Sequence, residues 1–522
     1  MARNSGVAIP LLKWILPMLL PSDKSVRRSA RPSKRASAIA DLIEADLMAR
    51  GWPVGEVIGT FAELIDHYGV SRAVVREAIG LLEHKMVVEM RHGPGGGVEV
   101  RAPIGEAVVS AISSYFDYTG VTSVELSEMR RLLMGLAARL AAKRIDEAGV
   151  ERLRSVADRA RKLESSSPAA MIQTLEVFSV IAELSENPAI PLLWSALIQR
   201  VAAGLVGGFG VPSARREVMA AQHLEIINAI VAGDASLAEA RMMGFLEATY
   251  QDVAVPAERA ALDEAEAAED IQAAIMELGI SMPGLGRDRR KKLPARVVRQ
   301  LIHEIHDKEL KPGDVLGMER DLLERIGVSR SVFREAVRII EFYGLAEMRR
   351  GPKGGLTVRE PDSVRIEETI ITYLEYMGIE RDHLLEIRIA LELMNVEWTI
   401  ARAEDKFEVL NEIVAAEQFD GKASRQFALH QMLSELSGNR ASQLLSNVLS
   451  QQLDRFVARP ENLRNRTPEE LADLSSRAQD EHLRIVEAIL AGDVELASHR
   501  MVRHLQFVDS ELDALDPRGI AG

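Results

Sequence analysis

Two stretches of the chain, 258 residues apart, carry one pattern of apolar and polar positions: Val70-Ser71-Arg72-Ala73-Val74-Val75-Arg76-Glu77-Ala78 and Val328-Ser329-Arg330-Ser331-Val332-Phe333-Arg334-Glu335-Ala336. Apolar residues recur at helical spacing, at Val75, Ala78, Ile79 and Leu82 in one and at Val332, Ala336, Ile339 and Ile340 in the other. A Gly-Val turn precedes each, and Ser71 or Ser329 is suited to take up an orphan N–H at the helix start. The pattern predicts helices over about 71–85 and 329–343. Upstream, Ile39, Leu42, Ile43 and Leu47 mark a helix over about 36–50, stopped by Gly51-Trp52-Pro53-Val54-Gly55. Thr60 opens a short helix over 61–68 that Gly69 closes. Downstream, residues 87–100 read as two short strands around a Gly-Pro-Gly tip, and 346–358 repeat them. Glu89-Met90-Arg91 and Glu347-Met348-Arg349 keep the same 258-residue offset, so the plan has been duplicated.

Three short helices and a two-stranded wing make a winged helix-turn-helix. The third helix of each copy buries one stripe and turns two arginines outward from its N-terminus, where the helix dipole favours phosphate and a guanidinium can grip a guanine edge. Candidate contacts to double-stranded DNA are therefore Ser71, Arg72 and Arg76, with Arg91, His92 and Gly93 on the first wing. In the second copy they are Ser329, Arg330, Ser331 and Arg334, with Arg349, Arg350 and Lys353 on the wing. Basic residues precede both copies, at Lys24, Arg27, Arg28, Arg31, Lys34 and Arg35 and at Arg287, Arg289, Arg290, Lys291 and Lys292. The two reading helices differ at Ala73 and Val75 against Ser331 and Phe333, which predicts two unlike half-sites.

After each wing the periodicity is helical throughout. Leu126, Met129, Leu133, Leu136 and Leu140 form one stripe, and Leu384, Ile387, Leu391 and Met394 form its partner. The predicted fold is mainly α, two winged helix-turn-helix domains alternating with two all-helical bundles. The expected division is a basic extension over 1–35, a winged domain over 36–102 and a helical domain over 103–252. A linker over 253–292, a second winged domain over 293–361 and a second helical domain over 362–515 follow. The linker begins with an acidic, alanine-rich helix candidate and ends in a Gly/Pro-containing hinge.

The net charge of −14 argues against nucleic acid until it is divided by region. Residues 24–101 carry +2 and residues 287–360 carry +6, leaving −22 for the rest. Absence of cysteine excludes disulfides and thiolate chemistry and fits a reducing, cytoplasmic setting. The apolar run over 8–20 is too short to span a bilayer and contains Lys13, Pro10 and Pro17, so no membrane association is expected.

The motif G-V-S-R-x-x-V-R-E-A with its glycine-rich wing resembles the DNA-binding domain of GntR-type bacterial transcription regulators. Before the second helix that family usually has Leu-Pro-Ser-Glu; here stand Ile58-Gly59-Thr60-Phe61 and Leu316-Gly317-Met318-Glu319. The helical regions resemble the sensing (FCD) domain of the FadR branch through Glu128-x-Arg130 and Glu386-x-Arg388, the turns Leu184 to Asn187 and Leu436 to Asn439, and the stretches HLEIINAIVAGD and HLRIVEAILAGD. The resemblance implies a metal site of one Asp and three His. In the second half those positions read Gln426, His430, His482 and His504; in the first, Thr174, Phe178, His223 and Phe245. Three imidazoles could hold Zn²⁺ or a similar divalent ion with positions open to a carboxylate effector. One histidine cannot, so a metal is expected in the second region alone. Arg130, Arg388 and His223 are further candidate ligand contacts, arginine pairing with carboxylate.

These features together imply a DNA-binding transcription regulator, in the family's commoner mode a repressor, that answers to a small-molecule effector. One chain would act as an intramolecular pseudo-dimer on an asymmetric operator, and association of whole chains into a homodimer is left open. Two alternatives remain at the level of sequence: a metal-dependent hydrolase built on the three histidines, and an architectural DNA-binding protein without effector.

Overall fold

The structure is a computed structural model. It describes residues 34–85, 87–91, 93, 96–103, 105–162, 168–207, 213–260, 310–342, 345–349, 354–359, 363–402, 428–457 and 468–513, single positions between 293 and 308, and residues 351 and 410. The chain is mainly α-helical and divides into two compact units, Met1–Ile104 and Gly105–Gly522. The acidic helix candidate and hinge of the linker, the basic clusters at 24–31 and 287–292, and the apolar run at 8–20 lie outside the described residues.

The first unit contains α1 (Lys34–Ala49), β1 (Val57–Gly59), α2 (Phe61–Tyr68), α3 (Arg72–His84), β2 (Val88–Arg91) and β3 (Gly97–Val100). Lys34 and Arg35, assigned from sequence to a basic arm, are instead the first turn of α1. Ile39, Ile43 and Leu47 of α1 pack with Val75, Ala78, Ile79 and Leu82 of α3, all buried. Glu44 sits on the same side of α1, and its carboxylate is neutralised by Lys85 at 2.8 Å. Thr60 and Glu63 cap α2 reciprocally, and Gly69 ends it in the left-handed conformation with φ 62°.

The wing departs from the two-stranded expectation. β1 adds to it, giving a three-stranded antiparallel sheet in the order β1-β3-β2. Three residues ending in Gly59 are too short for a period-two signal, so the strand could not be read from pattern. Gly97 is required where β1 crosses: a Cβ there would stand 2.6 Å from the Gly59 carbonyl oxygen.

The second unit holds α4 (Gly105–Thr119), α5 (Ser123–Arg144), α6 (Glu147–Lys162), α7 (Pro168–Leu184), α8 (Ala189–Gly207), α9 (Ser213–Val231) and α10 (Ala235–Ala260). The winged plan then recurs. The described residues between 293 and 305 are helical, followed by β4 (Val315–Gly317), α11 (Glu319–Ile326), α12 (Arg330–Phe342), β5 (Ala346–Arg349) and β6 (Gly355–Val358), with sheet order β4-β6-β5. A second set of helices closes the unit: α13 (Ser363–Tyr376), α14 (Arg381–Arg402), α15 (Ala428–Leu436), α16 (Arg440–Val457), α17 (Pro468–Leu490) and α18 (Val494–Asp513).

The two helical regions pack on each other, α4 against α13 and α5 against α14. At α4–α13 the approach is close: a Cβ on Gly105 would stand 2.5 Å from Tyr373 Oη. Apolar side chains from both regions, among them Ile112, Phe116, Leu133, Ile370, Leu444 and Val448, meet in one small apolar cavity. Around it the regions exchange polar contacts in matched pairs. Asn187 Nδ2 donates to the His383 carbonyl at 2.8 Å and to Glu386 Oε2 at 3.1 Å. In the opposite sense Asn439 Nδ2 donates to the Glu125 carbonyl and to Glu128 Oε2, both at 3.0 Å. Arg144 binds the Ser185 carbonyl and the Glu386 carboxylate, while Arg402 binds the Ser437 carbonyl and the Glu128 carboxylate.

One contact has no mirror image. Arg440 donates from Nε and its backbone N–H to Glu125 Oε1, both at 2.9 Å, and from Nη2 to Oε2 at 2.7 Å. The corresponding positions in the other sense are Pro188 and His383, which cannot form such a pair. Burial alone would raise the Glu125 pKa; the hydrogen bonds from Arg440 and from Thr122 outweigh it and hold the group at about 2. A depressed carboxylate contributes stability that is fully present above its unfolded pKa and is lost as pH falls through the folded value. Glu125→Gln is therefore expected to lower stability by about 2 kcal/mol at neutral pH. The difference from the parent should shrink between pH 4.5 and about 2 in acid denaturation monitored by circular dichroism.

Reading helices, wings and a buried histidine cluster

Both third helices present the arginines expected from sequence. Ser71 caps α3 by accepting from the Val74 N–H, and Arg72 and Arg76 are exposed, meeting no carboxylate among the described residues. In α12, Ser329 accepts from the Val332 N–H, and its hydroxyl lies 3.0 Å from that of Ser331. Arg330 and Arg334 are exposed and share Glu319 Oε1, at 3.1 and 3.3 Å. Those guanidinium groups hold the Glu319 carboxyl below the usual range, chiefly through the Arg330 hydrogen bond. The first copy has Phe61 at the position of Glu319, so its arginines lack this tether.

The exchange of Val75 for Phe333 does not distinguish the two reading surfaces as expected from sequence. Val75 and Phe333 are both fully buried, so that difference belongs to the core and cannot read bases. Phe333, rather than Val332, is the apolar anchor of α12, alongside Ala336, Val337 and Ile340. The exposed differences are Ala73 against Ser331 and Gly80 against Arg338. On the wings, Arg91 is exposed 3.6 Å from Glu99 Oε2, Gly93 takes φ 110°, and Arg349 Nε lies 2.6 Å from Glu347 Oε1. His92, Arg350 and Lys353 lie outside the described residues.

In the second helical region His430 of α15, His482 of α17 and His504 of α18 converge, each at most 2% exposed. Their nearest ring nitrogens lie within 4.8 Å of one another. Nε2 of His504 is 3.3 Å from Nε2 of His430 and 3.1 Å from Nε2 of His482. Outward, His430 Nδ1 faces Glu392 Oε1 at 2.9 Å and His504 Nδ1 faces Glu481 Oε2 at 3.0 Å. The hydrogen bond to Glu481 fixes the His504 ring, while Glu392 lies beside His430 Nδ1 without a hydrogen bond; both rings keep Nε2 turned to the cluster, free to coordinate. Burial pushes His430 well below its usual pKa, with Arg388 and His482 adding to the effect. His504 falls to about 3, again through burial, so both rings are neutral, the form a metal requires. Glu392, buried among them, is raised to about 7 by desolvation despite the nearby Arg388. The donor set therefore suits a divalent ion. Gln426 lies outside the described residues.

Glu392 was not singled out from sequence, although it stands one helical turn beyond Arg388 on α14 and the (i, i+4) spacing was available. Glu128 and Glu386 were noticed as motif residues only; the structure gives them the cross-region contacts with Asn439 and Asn187. In the first region the equivalent cluster is aromatic. Phe178, His223 and Phe245 pack with ring centroids 4.3–5.7 Å apart, a set that cannot hold a metal. Arg130 is buried beside this cluster's helices; the side chain of Thr174 is outside the described set.

Winged reading heads joined to helical domains with a buried polar cluster define a DNA-binding regulator controlled by a small molecule. The profile described as "Bacterial regulatory proteins, gntR family" matches residues 35–98 and 293–354, and that described as "FCD domain" matches residues 125–248 and 383–507. The chain belongs to the GntR family of bacterial regulatory proteins, with both of its domains present twice. The HTH-type transcriptional regulator LutR of Bacillus subtilis is 30% identical over 40% of this chain and 95% of its own length. The HTH-type transcriptional repressor NanR of Citrobacter rodentium is 27% identical over 43% of this chain and 87% of its own. A solved structure, Streptococcus agalactiae GntR, covers 41% of this chain and 99% of its own at 21% identity, with a TM-score of 0.32. LutR and NanR, matched over most of their own lengths, align to less than half of this chain, as duplication requires. The family assignment sets aside the hydrolase reading. Among the described residues no helix is long and apolar enough to cross a membrane.

Phe333→Ala is expected to destabilise the second winged domain by about 3–5 kcal/mol, the cost of a large buried cavity. Ser331→Ala should leave thermal stability unchanged, within about 0.5 kcal/mol, and alter only DNA affinity. Differential scanning calorimetry and gel retardation on the two variants separate core from contact.

Proposed function

We propose that the protein is a repressor in which one polypeptide supplies both half-site readers and both sensing domains, an intramolecular pseudo-dimer acting on an asymmetric operator in the cytoplasm. The observation that carries this reading is the matched exchange Asn187 to Glu386 and Asn439 to Glu128, with Arg144 and Arg402 behind it. Such reciprocity is what a two-fold interface between identical subunits would have, here realised inside one chain.

Reading would fall to Arg72 and Arg76 on one half-site and to Arg330 and Arg334 on the other, with Arg91 and Arg349 on the adjoining backbone. The exposed Ser331 and Arg338, at positions occupied by Ala73 and Gly80 in the other copy, support unlike half-sites. His430, His482 and His504 would hold a divalent metal, which when bound offers open positions to the carboxylate of a small organic acid. Arg388, close to the same cluster, adds a positive charge for that anion. An effector that favours one arrangement of the two helical regions shifts the balance between arrangements, and only through that difference in affinity does it change operator binding.

Footprinting on the DNA flanking the protein's own gene should reveal an imperfect site occupied by a single chain. Arg72→Ala and Arg330→Ala should each cost about 1–3 kcal/mol of operator binding and affect different half-sites. Zn²⁺ titration of the chelator-treated protein should saturate at one ion per chain, and at none in the His430→Ala/His482→Ala variant. A symmetric palindrome occupied by two chains would overturn the pseudo-dimer.

A further inference from the structure

The two winged domains commit a carboxylate in the first turn of their second helix to different tasks. In the first, Glu63 turns back on Thr60, accepting from its backbone N–H at 2.7 Å and from its hydroxyl at 3.0 Å, so the group is used in capping α2. In the second, Met318 offers no side-chain cap, and Glu319 reaches instead to the reading helix, where Oε1 accepts from Nε of Arg330 at 3.1 Å and of Arg334 at 3.3 Å. Phe61 stands at the position of Glu319 in the first domain, and Arg72 and Arg76, both exposed, meet no carboxylate among the described residues. An arginine free in solvent loses rotamers when it grips a base, whereas one already held at Nε has lost them before DNA arrives. With Nε occupied, the terminal amino groups of Arg330 and Arg334 are left to make the paired contact with O6 and N7 of a guanine. One carboxylate between two guanidinium groups also halves the net charge of the cluster, so it attracts phosphate less and repels a misplaced backbone. Arg72 and Arg76 keep full charge and free rotation, which suits them to phosphate, a contact without sequence information.

We propose that the two winged domains divide operator recognition unequally: Glu319 makes the second the sequence-discriminating reader, and Phe61 leaves the first a sequence-tolerant clamp. This division rests on the pseudo-dimer reading and deepens it, assigning most of the operator's sequence information to one half-site. Glu319 is a positioning residue that acts through its two arginines.

The probe is a library of randomised DNA duplexes, carried through rounds of selection with the full-length protein. Arg72→Ala and Arg330→Ala assign each enriched half-site to its winged domain. The wild-type chain is expected to enrich one half-site in which single-base changes weaken binding by about tenfold or more, beside another in which they cost less than about threefold. Glu319→Gln keeps the size of the side chain and removes its charge. Discrimination at the strict half-site should then fall by about tenfold. Affinity for unselected duplex should rise, and the slope of log affinity against log salt should steepen by about one. Phe61→Glu supplies the missing carboxylate and should make the tolerant half-site stricter. A glutamate that served only the stability of α11 would change the melting temperature and leave base preferences alone, so both variants are also melted by calorimetry. Glu319→Phe, which installs the residue of the other copy, stands in should either fail to fold. Two equally strict half-sites from the wild-type chain, or unchanged base discrimination in a folded variant, overturn the division while leaving the pseudo-dimer intact. Enrichment of no sequence by the wild-type chain sinks the regulator reading, and this division with it.

Discussion

The side-chain exchange between the two helical regions is the constraint on which the second unit depends. The turns after α7 and α15 leave backbone carbonyls at Ser185 and Ser437, and each is satisfied by an arginine of its own region, Arg144 or Arg402. Each of those arginines is in turn held by a glutamate of the other region, Glu386 or Glu128. Asn187 and Asn439 cap the following helices with their side-chain oxygens and spend their amide protons across the boundary. Separating the regions would leave glutamates, asparagines and arginines without partners in a half-buried setting, where an unmade hydrogen bond costs more than a made one contributes. The packing of α4 on α13 and the shared apolar cavity follow from holding these groups in register.

On that frame the duplication has kept geometry and changed chemistry. A turn closed by Gly438 at φ 70° in one copy is closed by Glu186 at φ 52° in the other, a left-handed residue that bears strain because its neighbours Ser185 and Asn187 are fixed. The buried triad has moved from three imidazoles to two phenyl rings and one imidazole at equivalent places. Bundles tolerate such exchange when ring volumes are alike, since Phe fills roughly the space of His while removing its donors.

Much of this was legible in the chain, for particular reasons. The winged domains could be read because Ser71 and Ser329, Gly69 and Gly327, and the buried stripes of α3 and α12 are local signals with a period. The histidine cluster was reached through spacing within a family pattern, and the structure brings His430, His482 and His504 together although they lie on three helices. Other features were not legible. β1 and β4 have three residues each and no periodicity to detect. In the sequence Phe333 counts among the differences that predict unlike half-sites, and only packing shows it pointing inward. The partners of Glu128 and Glu386 lie about 310 and 200 residues away in sequence, a separation over which no local rule operates.

The bond between Glu125 and Arg440 occurs once, with His383 and Pro188 where its twin would be. In a dimer of identical subunits, a rotation axis would copy any such change to both sides, so a favourable pairing arrives twice and a harmful one does double damage. Tandem fusion removes that coupling. Each face can then mutate alone, and heterodimer-like specialisation becomes reachable from a single gene.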